Sequence, residues 1–187
     1  MKNLEDFIFT GNYLPKEDCE YIVNFISQRD WKKHEWHENV NNSYQSEEEK
    51  ELDVYMSDEI LQEKLHPFIL KAINDYTKEK FFDAEKTKYL VTRYSPVRFN
   101  RYENAKMRTH YDHIHSIFDG DRKGIPVLSI LGVLNDDYKG GNFLFYDEHE
   151  VKLRQGDILI FPSIFLYPHK VKEVTEGTRY SFITWAF

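Results

Sequence analysis

From Lys88 to the C-terminus the chain is built of short β-branched and aromatic runs parted by turn residues, at 88–94, 97–103, 125–134, 142–146, 157–161, 169–174 and 179–187. Strands this brief bury little on their own, and such a succession predicts two sheets packed face to face as a jelly roll. Helical patterning is confined to the part before it. Pro15 with Glu17 and Asp18 marks a helix start, and Cys19, Ile22, Val23, Phe25 and Ile26 carry the apolar face to about Gln28. Ser57-Asp58-Glu59 resembles a second N-terminal cap, and Ile60, Leu61, Leu65, Phe68, Ile69, Ala72, Ile73 and Tyr76 form an apolar stripe that Pro67 is expected to kink or break. Residues 52–56 are strand-like, whereas the polar, Asn-bearing residues 32–50 read as a loop. The expected class is α+β: one domain over 1–187, with a mainly helical support over 1–85 covering one sheet of a jelly-roll core over 86–187.

Within that core lies His110-Tyr111-Asp112. Residues two apart on a strand share a face, so this His and Asp can grip one ion. His169, brought in from a distant strand, completes two imidazoles and one carboxylate, the facial triad of non-haem Fe(II) oxygenases, which leaves three coordination positions open for chemistry. H-x-D alone is a weak signal, because a strand histidine is more often a satisfied core residue. The weight comes from the last strand, where Arg179, Ser181, Ile183 and Trp185 face one way. An inward arginine is costly unless an anion meets it; its planar fork suits a carboxylate held bidentately, and a hydroxyl two residues on adds a further bond. The other histidines read differently. His34 and His37 look like exposed loop residues, and His113 and His115 like rim residues rather than ligands, since His113 faces away from His110 by parity and His115 falls in the next loop.

Tyr94, Arg101-Tyr102-Glu103, His110-Tyr111-Asp112, Leu134-Asn135, Gly140-Gly141, Gly156-Asp157, His169-Lys170-Val171 and Thr178-Arg179-Tyr180 through Trp185 occur in an order and spacing that resembles the 2-oxoglutarate and Fe(II)-dependent dioxygenases, specifically the prolyl 4-hydroxylase-like branch. The likeness covers about residues 88–187, and the tail 179–187 is most similar to oxygen-sensing prolyl hydroxylases, which carry Arg where collagen-type enzymes usually have Lys. The resemblance implies a double-stranded β-helix, with Fe(II) on His110, Asp112 and His169 and these residues together with Arg179 as the catalytic set. It implies that Arg179 and Ser181 hold the far carboxylate of 2-oxoglutarate, that Tyr102 or Tyr94 also touches this co-substrate, and that O2 is consumed with ascorbate in support. Val133 stands where the oxygen-sensing enzymes have a carboxylate-binding Tyr, so a third partner for the carboxylate is left unassigned. Trp185 fits either the family tryptophan beneath the site or a core anchor. Loops near 95–108 and 114–124 are implied to cover the substrate. The reaction implied is hydroxylation of a prolyl residue in a peptide or protein, to 4-hydroxyproline, with 2-oxoglutarate converted to succinate. Alternatives are a dioxygenase acting on a small molecule, another residue or a nucleobase, and a non-catalytic metal-binding jelly roll; the last gives no reason for an inward Arg179 beside Ser181.

Charge narrows the partners. The net charge of −7 is unevenly spread: residues 1–85 hold 10 Lys and Arg against 20 Asp and Glu, residues 86–108 hold 7 against 1, and residues 109–187 hold 8 against 11. The basic island is either a strand edge protected by cations or a charged rim for an acidic or phosphate-bearing substrate. The overall acidity argues against non-specific nucleic-acid binding. No apolar run is long enough for a bilayer and the first residues lack a signal-peptide core, so no membrane partner is expected. The single Cys19 cannot form an internal bridge, which fits a reducing compartment and hence the cytoplasm.

Overall fold

The computed structural model describes residues 2–38, 43–45, 50–81, 91–112 and 126–187. After a 3-10 turn at Leu4–Phe7 the elements are Phe9–Asn12 (β1), Lys16–Ile26 (α1), Lys32–Lys33 (β2), Trp36–Glu38 (β3), Ser43–Gln45 (β4), Asp53–Met56 (β5), Glu59–Lys80 (α2), Arg98–Tyr102 (β6), Met107–His110 (β7), Leu128–Val133 (β8), Lys139–Gly140 (β9), Phe143–Phe145 (β10), His149–Val151 (β11), Asp157–Pro162 (β12), His169–Val171 (β13), Val174–Glu176 (β14) and Arg179–Ala186 (β15). A seven-stranded antiparallel sheet, ordered β1-β12-β8-β15-β6-β5-β2, faces a four-stranded sheet ordered β11-β10-β13-β7. This is the double-stranded β-helix of an α+β protein.

Strand alternation sorts the apolar residues into two cores. On the outer face of the larger sheet Phe9, Phe99, Ile130, Ile158, Ile160 and Phe182 pack against Cys19, Ile22 and Ile26 of α1 and Leu61, Leu65, Ile69 and Tyr76 of α2. Between the sheets lie Tyr102, Leu131, Val133, Leu159 and Phe161 from one side and Phe143, Phe145 and Val171 from the other. One close approach demands glycine. A Cβ on Gly132 would sit 2.0 Å from the Phe182 ring, its cross-strand neighbour. The second helix begins as its sequence implies, with the Asp58 side chain accepting from the Leu61 amide at 3.0 Å. It then runs through Pro67 without a break, because six buried residues on one face outweigh a single missing hydrogen bond.

The strands depart from expectation in three places. Besides the strand expected at 52–56, which is β5, the N-terminal part supplies β1, paired with β12 at one edge of the larger sheet, and β2, paired with β5 at the other. The stretch 32–50 is not simply loop, for it contains β2, β3 and β4. The basic island is divided: Arg98 and Arg101 lie on β6, between β15 and β5, Arg108 lies on β7 at the edge of the smaller sheet, and Lys86 and Lys88 fall outside the described residues. Of the strand expected at 88–94, residues 88–90 lie outside the described residues, and the remainder contributes one bridge, Tyr94 to Ala186.

Candidate active site

The site forms where β7 and β13 lie side by side in the smaller sheet. His110 ends β7 and His169 opens β13, and the two are direct cross-strand partners with ring centroids 4.3 Å apart. Asp112 is not on the strand, as parity had required, but in the chain immediately after it. It still converges on the pair. The potential ligand atoms of His110, Asp112 and His169 all lie within 4.8 Å of one another, and no other such group occurs among the described residues. Asp112 Oδ1 is 3.5 Å from His110 Nε2 and 3.9 Å from His169 Nε2. Donors about 2.1 Å from a common ion stand about 3–4 Å apart, so one ion fits this set.

The polar groups behind these three side chains fix their orientation. Each histidine uses Nδ1 on a backbone carbonyl, His110 on Arg108 at 2.9 Å and His169 on Tyr167 at 3.0 Å, which leaves both Nε2 lone pairs turned to Asp112. Ser129 of β8, fully buried, donates to Asp112 Oδ2 at 2.6 Å and bonds Ser163 at 2.7 Å. Burial works to raise the Asp112 carboxyl, but His169, His110 and Ser129 outweigh it and hold the group below the usual carboxylate range. Burial, followed by the neighbouring His110, pushes His169 down to about 4, so its imidazole is neutral and free to ligate at neutral pH. Phe143 stacks on the His169 ring at 5.3 Å and Phe161 meets it edge-on at 4.9 Å, which keeps water from its flank.

Among the described residues Arg179 is the largest fully buried side chain, 1 % exposed. It donates to Ser181 Oγ at 3.0 Å, its guanidinium lies 5.0 Å from the centroid of the Tyr102 ring, and its Nε is buried with no partner. Gly141, at φ +65°, makes the room: a Cβ there would stand 3.0 Å from Arg179 Cδ. A buried guanidinium with an orphaned donor is a socket for a carboxylate, which is the fit 2-oxoglutarate requires. A cleft of about 270 Å³ lined by Tyr138, Gly141, Asn142 and Phe143 reaches this arginine. A larger one of about 650 Å³, against Thr178, Tyr180 and α1, touches none of the triad, so chemistry rather than volume marks the site.

Tyr102 is brought to Arg179 as its cross-strand partner, whereas Tyr94 is not: its hydroxyl bonds His66 of α2 on the helix-covered side of the larger sheet. Val133 faces Ser181 directly and is buried. Trp185 lies on the inner face, with its Nε1 buried and unpartnered. His34 is not an exposed loop residue; it is 7 % exposed, between Glu51 and Trp36. His113, His115 and the loop expected at 114–124 lie outside the described residues. Sequence reasoning missed Ser129, whose serine carries no signal of its own, and Trp36, held by Glu51 at 2.9 Å and set edge-on to His110 at 5.5 Å.

The jelly roll thus carries a two-histidine, one-carboxylate face that could hold a metal ion and, along its last strand, a buried arginine suited to a carboxylate. The 2OG-Fe(II) oxygenase superfamily model matches residues 97–187. Curated relatives include a PKHD-type hydroxylase of Herminiimonas arsenicoxydans, 38% identical over 136 residues that cover 65% of this chain and 54% of the relative, and another of Hyphomonas neptunium, 40% identical over 98 residues (47% and 41%). The chain thus spans about half the length of the curated relatives it matches. Among solved structures, a Trichoplax adhaerens prolyl hydroxylase in complex with a hypoxia inducible factor oxygen degradation domain peptide aligns at TM-score 0.69 with 16% identity, covering 97% of this chain and 84% of that one. A Pseudomonas putida prolyl-4-hydroxylase aligns at 0.66 with 16% identity (97% and 92%). At that identity the likeness speaks to the fold alone.

Proposed function

We propose that this protein is a 2-oxoglutarate- and Fe(II)-dependent dioxygenase that hydroxylates a prolyl residue of a peptide or protein, giving 4-hydroxyproline. The observation that carries the reading is Arg179, a buried guanidinium with an unpartnered Nε in the same barrel as the triad, for which metal binding alone has no use. The PKHD-type hydroxylase relatives and the prolyl hydroxylases that share the fold support the choice of reaction. Fe(II), held by His110, Asp112 and His169, supplies the O2 chemistry that turns 2-oxoglutarate into succinate and CO2 and hydroxylates a C–H.

The chain's own residues set the terms. Ser129 and the two carbonyl-bonded histidines keep the three ligands aimed at one point, so little reorganisation is needed when the ion enters. Arg179 with Ser181 takes the far carboxylate, and Tyr102 walls the same end. Phe143, Phe145 and Phe161 exclude water around His169. Ascorbate would support turnover as a reductant. Among the described residues no helix is long and apolar enough to cross a membrane, and the lone buried Cys19 fits the cytoplasm. The test is mass spectrometry of proline-containing peptides incubated with the protein, Fe(II), ascorbate and 2-oxoglutarate, with Asp112→Ala as the inactive control. The expected result is a one-oxygen gain on proline matched by succinate. Oxidation of free proline only, or of a nucleobase or metabolite in place of any peptide, rejects the peptidyl reading.

A further inference from the structure

Seven cations made the basic island conspicuous, and among those described the structure singles out one. Arg101 is paired with Asp53 at 2.7 Å, Arg108 lies over Trp36 and Arg93 over Phe187. Arg98 differs. It shares the inner face of β6 with Asn100 and Tyr102, opposite Ile183 of β15, while Phe99 between them packs toward the helices. It is half-buried, donates through Nε to Asn100 Oδ1 at 3.2 Å, and stands 5.3 Å from the centroid of the Trp185 ring. No carboxylate lies within ion-pair distance of it among the described residues.

Placement and charge give this cation a direction. Its partner on the next strand, Met56, is 47% exposed, so Arg98 sits where the barrel opens. The buried, unpartnered Nε1 of Trp185 is a second donor beside it. Neither buried acid on this side pairs with Arg98 directly: Glu51 is held by Trp36 Nε1 at 2.9 Å and His34 at 3.5 Å, and Asp112 lies with His110 and His169. Burial works against the charged guanidinium, and the Trp185 contact and the through-space pull of Asp112 offset only part of that.

We propose that Arg98 is a specificity residue that recognises an anionic side chain flanking the hydroxylated proline. This rests on the dioxygenase reading above. The planar fork of Arg98, not paired directly with any described acid, meets a carboxylate or a phosphate dianion at the mouth.

Four peptides differing only beside the proline, with Glu, phosphoserine, Gln or Lys, test this by succinate and hydroxyproline formation and by calorimetry under anaerobic conditions, where no turnover occurs. The wild-type protein is expected to favour an anionic peptide over the Gln peptide by about tenfold in both kcat/KM and affinity. Comparing Glu with phosphoserine identifies the anion. Arg98→Met should bring the ratio to about one and Arg98→Lys should keep part of it; Arg98→Glu should invert it in favour of the Lys peptide, which misfolding cannot do. Equal use of the Glu and Gln peptides, or an anionic preference that survives Arg98→Met, overturns the proposal. So does consumption of 2-oxoglutarate with no hydroxylation of any of the four. Failure to consume 2-oxoglutarate at all would instead sink the dioxygenase reading.

Discussion

Ser129→Ala is the sharpest probe of how this site is held. The hydroxyl is fully buried, donates to Asp112 Oδ2 at 2.6 Å and shares a second bond with Ser163. A hydrogen bond to an ionised group contributes about 1.5–3 kcal/mol, and outer-shell partners of metal ligands typically affect metal affinity about 10–100-fold. With about 1.4 kcal/mol per factor of ten, the two ranges agree. The variant should therefore bind Fe(II) about 10–100-fold more weakly in an anaerobic chelator-competition titration, without loss of the other ligands. The control is Ser163→Ala, which removes the relay but leaves the Ser129–Asp112 bond, and it should weaken binding less than about threefold. If Ser129→Ala binds Fe(II) within about twofold of wild type, or if both variants fall equally, Ser129 does not set the carboxylate and the reasoning is refuted.

Three further outcomes follow from the same geometry. Arg179→Lys keeps the charge but loses the fork, so the KM for 2-oxoglutarate should rise about tenfold or more while Fe(II) affinity stays near wild type; unchanged co-substrate dependence would exclude Arg179 as the carboxylate partner. His169 and His34 are pushed down to about 4 and about 3, chiefly by burial, from the ordinary 6.5. Between those values the unfolded chain binds more protons than the native one, so metal-free stability should be fully present above about pH 6.5 and fall as pH drops toward about 4, by at most about 1.4 kcal/mol per unit per histidine. Urea melts at several pH values check the sign, and a flat or opposite trend would contradict it. Gly132→Ala places a methyl inside van der Waals reach of the Phe182 ring and should cost about 1–3 kcal/mol, read as a lowered denaturation midpoint at unchanged slope.

The jelly roll and the clustering of His110, Asp112 and His169 were legible because each depends on residue type and order. Strand texture, the H-x-D pair and the distal His169 are all visible in the letters, and the cross-strand pairing of His110 with His169 shows why the two must be far apart in sequence. What escaped depends on pairing across long separations. Phe9–Asn12 has the composition of a turn, and it becomes a strand only because the edge of β12, nearly the whole chain away, offers it hydrogen bonds. The short strands within 32–50 are likewise ordered by partners rather than by propensity, as Lys32 and Lys33 are by Val54 and Asp53.

The polar support of the site escaped for a related reason. An arginine on a strand has a defined facing only once the inner face is known, and within 86–108 the letters gave no way to separate Arg98 from Arg101. The structure separates them by one step of the pleat: Arg98 shares the cavity with Asn100 and Tyr102, while Arg101 turns outward to Asp53 and Trp31. Parity then ties charge to role. The outward arginine is neutralised by an acid supplied from β5, and the inward one, which no described acid pairs with directly, faces whatever enters the barrel.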